Sequence, residues 1–195
     1  YELVEQLDWR PPDVVAIPIA SGALFHKVGQ GLADLRELGL VDGPSPRLVG
    51  GQAEGCQPVA TAFRDGAPVQ PVRPSSIARS LAIGTPADGD FAVATARETG
   101  GAIHAVPEDE IGENMALLAR TTGVFGETAA GVTLGGLRSA VDAGEHAGDS
   151  RVVLLVTDTV NLRYLTGFSG TNGLAIVGAD VRRFLTDFRY VERAR

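Results

Sequence analysis

Two hydrophobic patterns alternate along the chain. Short, continuous, β-branched runs are separated by stretches in which apolar residues return every three or four positions. The first run, Val14 to Ile19, lacks polar alternation, as expected of a strand covered on both faces. A small-residue loop follows at 20–23. Leu24, Val28, Leu32, Leu35 and Leu38 then recur at helical spacing up to Gly39. This predicts a strand, a tight turn and a helix over about 24–38, stopped at the glycine. Residues 47–51, 102–106 and 151–157 read as further strands. Residues 2–7, 54–63, 76–83, 88–99, a segment from Pro107 and 127–143 read as helices. Pro11-Pro12 ends the opening helix, and the Pro-rich stretch 65–74 reads as a crossing loop. Glu108, Asp109 and Glu110 fall in the first turn after Pro107, where acids complement the helix dipole. Helices alternating with short apolar strands predict a doubly wound α/β sheet.

After Thr157 the texture changes. Residues 161–168 read as a short helix or turn. Two strands, 174–177 and 182–186, are joined around Gly178-Ala179-Asp180, and a final helix starts near Arg189. This is a hairpin-like α+β unit, not another βα repeat. Charge changes at nearly the same place: the net charge of -7 divides into -10 over residues 1–150 and +3 over 151–195. Such asymmetry points to two sources or two faces.

Strand, small-residue turn and helix together make an anion site. The helix N-terminus offers unpaired N–H groups and a positive dipole end, small side chains let a phosphate approach, and Ser21 adds a hydroxyl. Ala20-Ser21-Gly22-Ala23 is neither a P-loop nor a dinucleotide fingerprint, so the same turn also reads as tight packing alone.

Composition narrows the classes. The overall negative charge argues against a nucleic-acid partner. No apolar run is long enough to cross a bilayer, and no secretory segment opens the chain. The single cysteine, Cys56, fits a reducing compartment, so a cytoplasmic setting is expected. The chain opens at Tyr1 without Met, which reads as a piece of something longer. His26, His104 and His146 share no ligand spacing, so no metal is expected. Cys56 reads as a packed small hydrophobe rather than a nucleophile.

Several runs carry a family resemblance. Ile17 to Phe25 (IPIASGALF), Gly51 to Pro58 (GQAEGCQP), Ile77 to Gly89 (IARSLAIGTPADG) and Glu127 to Thr133 (ETAAGVT) stand in order, and together they make residues 1 to about 157 resemble threonine synthase. The resemblance implies a fold-type II pyridoxal-phosphate enzyme: a three-layer, mostly parallel α/β sheet like that of the tryptophan synthase β chain, here incomplete. It implies pyridoxal 5'-phosphate as cofactor, with Ala20, Ser21, Gly22, Ala23 and Leu24 as the loop around its phosphate. Glu127 is implied near the ring and Thr157 opposite the pyridine nitrogen. The family's reaction turns O-phosphohomoserine and water into threonine and phosphate, so the implied partner is a small amino-acid phosphate ester.

That chemistry needs a lysine amine at the cofactor's aldehyde. In the family it lies in a serine-phenylalanine-lysine run, which is absent here. The one lysine, Lys27, stands on the helix after the phosphate loop and reads as an ordinary exposed residue. No catalytic residue is therefore assigned, and the chain alone is expected to be inactive.

From about Leu154 onward the chain resembles the amino-terminal domain of creatinase, prolidase and aminopeptidase P. The runs are LVTD at 155–158, NLRYLTGFSGTNG at 161–173 and LTDFRY at 185–190. The resemblance implies a division into 1–157 and 158–195, with a junction in or just after the strand at 152–157. Three readings follow: part of a threonine synthase-type lyase, a non-catalytic assembly module whose tail makes a homo-oligomer contact, or a non-functional fusion with a fragment related to Xaa-Pro aminopeptidase and creatinase.

Overall fold

The computed structural model describes residues 1–146 and 150–156, and the backbone of two further strands at 173–177 and 182–186. Its elements are α1 (Glu2–Gln6), β1 (Val14–Pro18), α2 (Ala23–Glu37), β2 (Arg47–Ala53), α3 (Pro58–Asp65), α4 (Gly89–Glu98), β3 (Ala102–Val106), α5 (Glu110–Thr122), α6 (Thr128–Asp142), β4 (Val152–Val156), β5 (Gly173–Val177) and β6 (Arg182–Thr186). The strands form one six-stranded sheet in the order β3-β2-β1-β4-β5-β6. The first four are mutually parallel, with Val15 beside both Leu48 and Val153. The last two are antiparallel, Leu155 facing Ile176 and Ile176 facing Arg183.

Both faces of the parallel part are covered, which explains the unbroken apolar runs. On one side Val15, Ile17, Leu48, Ile103, Val153 and Leu155 pack with Phe25, Leu32 and Leu35 of α2, Val59 of α3 and Ala92 of α4. On the other side Val14, Ala16, Val49 and Leu154 meet α5 and α6 through Leu118, Ala130 and Ala140. The result is the helix–sheet–helix layering expected. The small residues of α6 have a purpose: a side chain at Gly136 would fall 2.7 Å from the Cα of Gly51, so this helix rests directly on the backbone of β2.

Two predicted helices differ. The stretch 54–63 is a 3-10 turn at Glu54–Cys56 followed by α3, because Pro58 starts a new helix and the Gln52 side chain caps it. The stretch 76–83 shrinks to a 3-10 turn at Arg79–Leu81, because its amides bond to acceptors only two or three residues back: Ala78 to the Ser76 hydroxyl, Arg79 to the Ile77 carbonyl and Leu81 to the Ala78 carbonyl. The predicted hairpin strands are present as β5 and β6. The expected turn at 161–168, the link at 178–180 and the helix near Arg189 lie outside the described residues.

Candidate functional site

The parallel strands deliver their following loops to one edge of the sheet, where open α/β folds hold ligands. Five pieces meet there: the turn after β1, the 3-10 turn after β2, the segment after β3, the N-terminus of α6, and a strap over residues 75–88. An apolar cluster underlies them. Ala53, Ala78, Leu81, Val106, Ile111 and Val132 are buried together, with Ala20 and Ala129 against them.

The Ser21 turn is built for an open set of donors. Gly22 caps α2 in the left-handed region at φ 92. The Ser21 hydroxyl oxygen accepts from the Ala23 amide at 3.3 Å, which leaves its own proton free to donate. The Ser21 carbonyl accepts from the Asp88 amide at 2.9 Å, and the Gly22 carbonyl from the His26 amide at 3.0 Å. The amides of Gly22, Leu24 and Phe25 have no acceptor among the described residues. An oxyanion fits this set, since it needs several convergent N–H groups at a dipole's positive end. The Leu24 side chain is turned away, lining a cleft with Tyr1, Val4 and Val28 between α1 and α2, so Leu24 offers its backbone alone.

Glu127 is the N-cap residue of α6. Its Oε1 accepts from the Ser80 hydroxyl at 3.1 Å, which joins α6 to the strap. Thr157 lies outside the described residues. Lys27 is exposed, and its ammonium donates to Gln30 Oε1 at 2.7 Å on the outer face of α2. The donor set at the Ser21 turn is of the kind that would suit the phosphate end of a pyridoxal cofactor.

His26 sits against α4, whereas His104 and His146 lie near each other beside Glu145 and Arg47. His26 Nδ1 lies 3.1 Å from Thr95 Oγ1 with its ring stacked on Phe91, and His104 pairs with Glu145 at 3.0 Å. No cluster able to hold a metal ion occurs among the described residues. No helix among them is long and apolar enough to cross a membrane. Cys56 is buried, and burial followed by the nearby Glu108 carboxylate pushes its thiol up, so it is a packed residue rather than a poised nucleophile.

The sequence reading missed two contributors. One is Glu108, whose two carboxylate oxygens accept from the Gly55 and Ile77 amides, each at 2.9 Å. The other is Asp88, whose backbone packs on Gly22. Both act on backbone groups distant in sequence; the acidic first turn and the 77–89 run were visible, but not their contacts.

Two family models match the chain. One, described as pyridoxal-phosphate dependent enzyme, matches residues 1–158; the other, described as creatinase/prolidase N-terminal domain, matches 150–195. Threonine synthase of Methanosarcina acetivorans is 33% identical over 159 residues, 80% of this chain and 39% of that protein. An uncharacterized peptidase of Bacillus subtilis, YqhT, is 50% identical over 42 residues, 22% of this chain and 12% of that protein. Maize serine racemase shares the fold, with a TM-score of 0.59 and 22% identity over 78% of this chain and 44% of that one. The chain therefore spans about two fifths of the threonine synthase it matches.

Proposed function

The chain belongs to the pyridoxal-phosphate dependent enzymes through residues 1–158, and from that premise we propose that it is part of a threonine synthase-type lyase which holds the cofactor's phosphate but cannot anchor its aldehyde. The observation that carries this reading is the Ser21 turn, where the amides of Gly22, Leu24 and Phe25 have no acceptor among the described residues and the Ser21 hydroxyl keeps a proton to donate. The identity to threonine synthase supports the reaction class, the release of phosphate from an amino-acid phosphate ester such as O-phosphohomoserine.

In this reading Ala20, Ser21, Gly22, Ala23 and Leu24 form the loop around the phosphate, with the Gly22 and Leu24 amides and the Ser21 hydroxyl as donors and the Ala23 amide holding the Ser21 oxygen in place. Glu127 borders the ring side of the crevice from the α6 N-terminus, and Thr157 serves the pyridine nitrogen. When bound, the cofactor supplies an electron sink for chemistry at the amino acid. The residues present here orient it and exclude water. A lysine from outside this chain completes the site.

Equilibrium binding of pyridoxal phosphate and of pyridoxal, followed by borohydride treatment and mass analysis, tests this reading. Phosphate-dependent binding with no stoichiometric covalent adduct is expected. Equal affinity for the two compounds overturns the cradle, and a stoichiometric adduct at Lys27 overturns the missing-amine reading.

The family match over 150–195 is what a second reading rests on, a non-catalytic assembly module with the creatinase-like end as its contact. Light scattering separates the two: a monomer at all concentrations argues against assembly.

A further inference from the structure

The strap at 75–88 carries the chain across the ligand edge and is fixed in sequence at four polar points. The Ser75 amide donates to the Gly55 carbonyl at 2.8 Å, and the Ile77 amide to Glu108 Oε2 at 2.9 Å. The Ser80 hydroxyl donates to Glu127 at 3.1 Å, and the Asp88 amide to the Ser21 carbonyl at 2.9 Å. Ala78 and Leu81 seat it on the apolar cluster below. The strap thus links the phosphate turn to α6 and to the loop after β2.

Glu108 is the one ionised member of this set with both oxygens on backbone amides, Gly55 through Oε1 and Ile77 through Oε2. Charge-assisted bonds of this kind are about twice as strong as neutral ones. The seam is tight: a side chain at Gly55 would lie 1.9 Å from the Ser75 carbonyl oxygen, so strap and loop meet backbone to backbone. At the far end, the Asp88 carbonyl lies 2.4 Å from where a Gly22 side chain would be, so movement of the strap moves the turn.

We propose that Glu108 is a positioning residue for the phosphate cradle: by pinning the strap at Ile77 and the loop at Gly55, it sets the aim of the amides at 22–25. The inference rests on the reading of the Ser21 turn as a phosphate site. It adds a residue without contact to the ligand that governs how well the turn discriminates a phosphate ester from the free alcohol.

The test compares the full chain with Glu108→Gln, which keeps the shape and one acceptor but turns an amide donor onto a backbone N–H. Gln52→Met serves as a control that weakens the α3 cap without touching the strap. Amide hydrogen exchange is read at 21–25, 77–88 and across α6. The affinity ratio of pyridoxal phosphate to pyridoxal is read alongside. In Glu108→Gln, exchange at Ile77 and at Asp88, whose amide bonds the Ser21 carbonyl, rises and the affinity ratio falls, each by about tenfold, while α6 is unchanged. In Gln52→Met the ratio stays within about twofold of the parent. Unchanged exchange at Asp88 in Glu108→Gln overturns the coupling, and so does an equal fall of the ratio in both variants. If the parent binds pyridoxal phosphate and pyridoxal equally, the cradle reading fails and the exchange at Asp88 alone decides whether Glu108 sets the turn.

Discussion

Gly22→Ala separates close approach from backbone preference. Gly22 has φ 92, and a Cβ there would stand 2.4 Å from the Asp88 carbonyl oxygen and 2.7 Å from its carbon. Gly43 has almost the same φ, 90, and nothing within 4 Å of its would-be Cβ. Gly43→Ala therefore reports the left-handed backbone cost alone, about 1–2 kcal/mol. Gly22→Ala carries that cost and also requires the Asp88 backbone to retreat by about 1 Å to reach ordinary contact. Asp88 is tied by its amide to Ser21 and by its carbonyl to the Ala92 amide, both at 2.9 Å. Overpacking of this kind costs about 1–3 kcal/mol, and loosening one of the two bonds adds about 1 kcal/mol. The expected excess over Gly43→Ala is at least about 2 kcal/mol, or roughly 4–8 °C in melting temperature for a chain of this size. Urea and thermal unfolding of the two variants beside the parent measure it. An excess below about 0.5 kcal/mol would show that the strap does not bear on the turn.

Three further outcomes follow from single contacts. Gln52 is fully buried and its Oε1 accepts from the Val59 and Ala60 amides at 2.9 and 3.0 Å, so Gln52→Met orphans two donors and costs about 2–4 kcal/mol in urea unfolding; a loss under about 1 kcal/mol contradicts the cap. Burial holds the His146 imidazole below its ordinary value, with Arg47 and His104 adding to this and Glu145 opposing. The folded chain therefore prefers the neutral ring, so this contribution is in place above about pH 6.5 and is lost as pH falls below it. His146→Gln should flatten the decline in urea midpoint between about pH 7.5 and about pH 5.5, and a slope like the parent's would refute the assignment. Lys27→Gln should change stability by less than about 0.5 kcal/mol and leave cofactor affinity untouched, because among the described residues the exposed ammonium bonds Gln30; a large loss of affinity would overturn this.

The parallel core was legible because each of its strands is a short apolar run bounded by turn residues, and both faces proved to be covered. The Ser21 turn was legible as a turn for the same local reason: strand, small residues and helix are contiguous; its use as an anion site is what we propose. What escaped was set by distant partners. Nothing in Ser76 to Ile83 forbids a helix by itself; the segment is pinned at Ile77 by Glu108, 31 residues on, and at Ser80 by Glu127, and its amides close short turns instead. The break at Pro58 was visible as a proline, yet its meaning depends on Gln52 folding back to cap the new helix. Glu127 was read from resemblance as a neighbour of the ring, and its contact with Ser80 could not be foreseen, since it joins segments 47 residues apart.

The two family matches overlap on residues 150–158, and β4 has the properties that such an overlap requires. Its run Val152 to Val156 has no polar alternation, so it does not favour one face over the other. Val153 and Leu155 pack toward α2, while Leu154 packs toward α5 and α6. One edge of β4 pairs parallel to β1 and the other antiparallel to β5. A strand this apolar left at the rim would invite pairing with other chains. The β5–β6 hairpin occupies that rim and moves the open edge to β6, which begins with Arg182 and Arg183. Charge on an edge strand opposes further addition. We therefore propose that the junction falls in β4, because a doubly covered strand can end one folding pattern and begin another without exposing either.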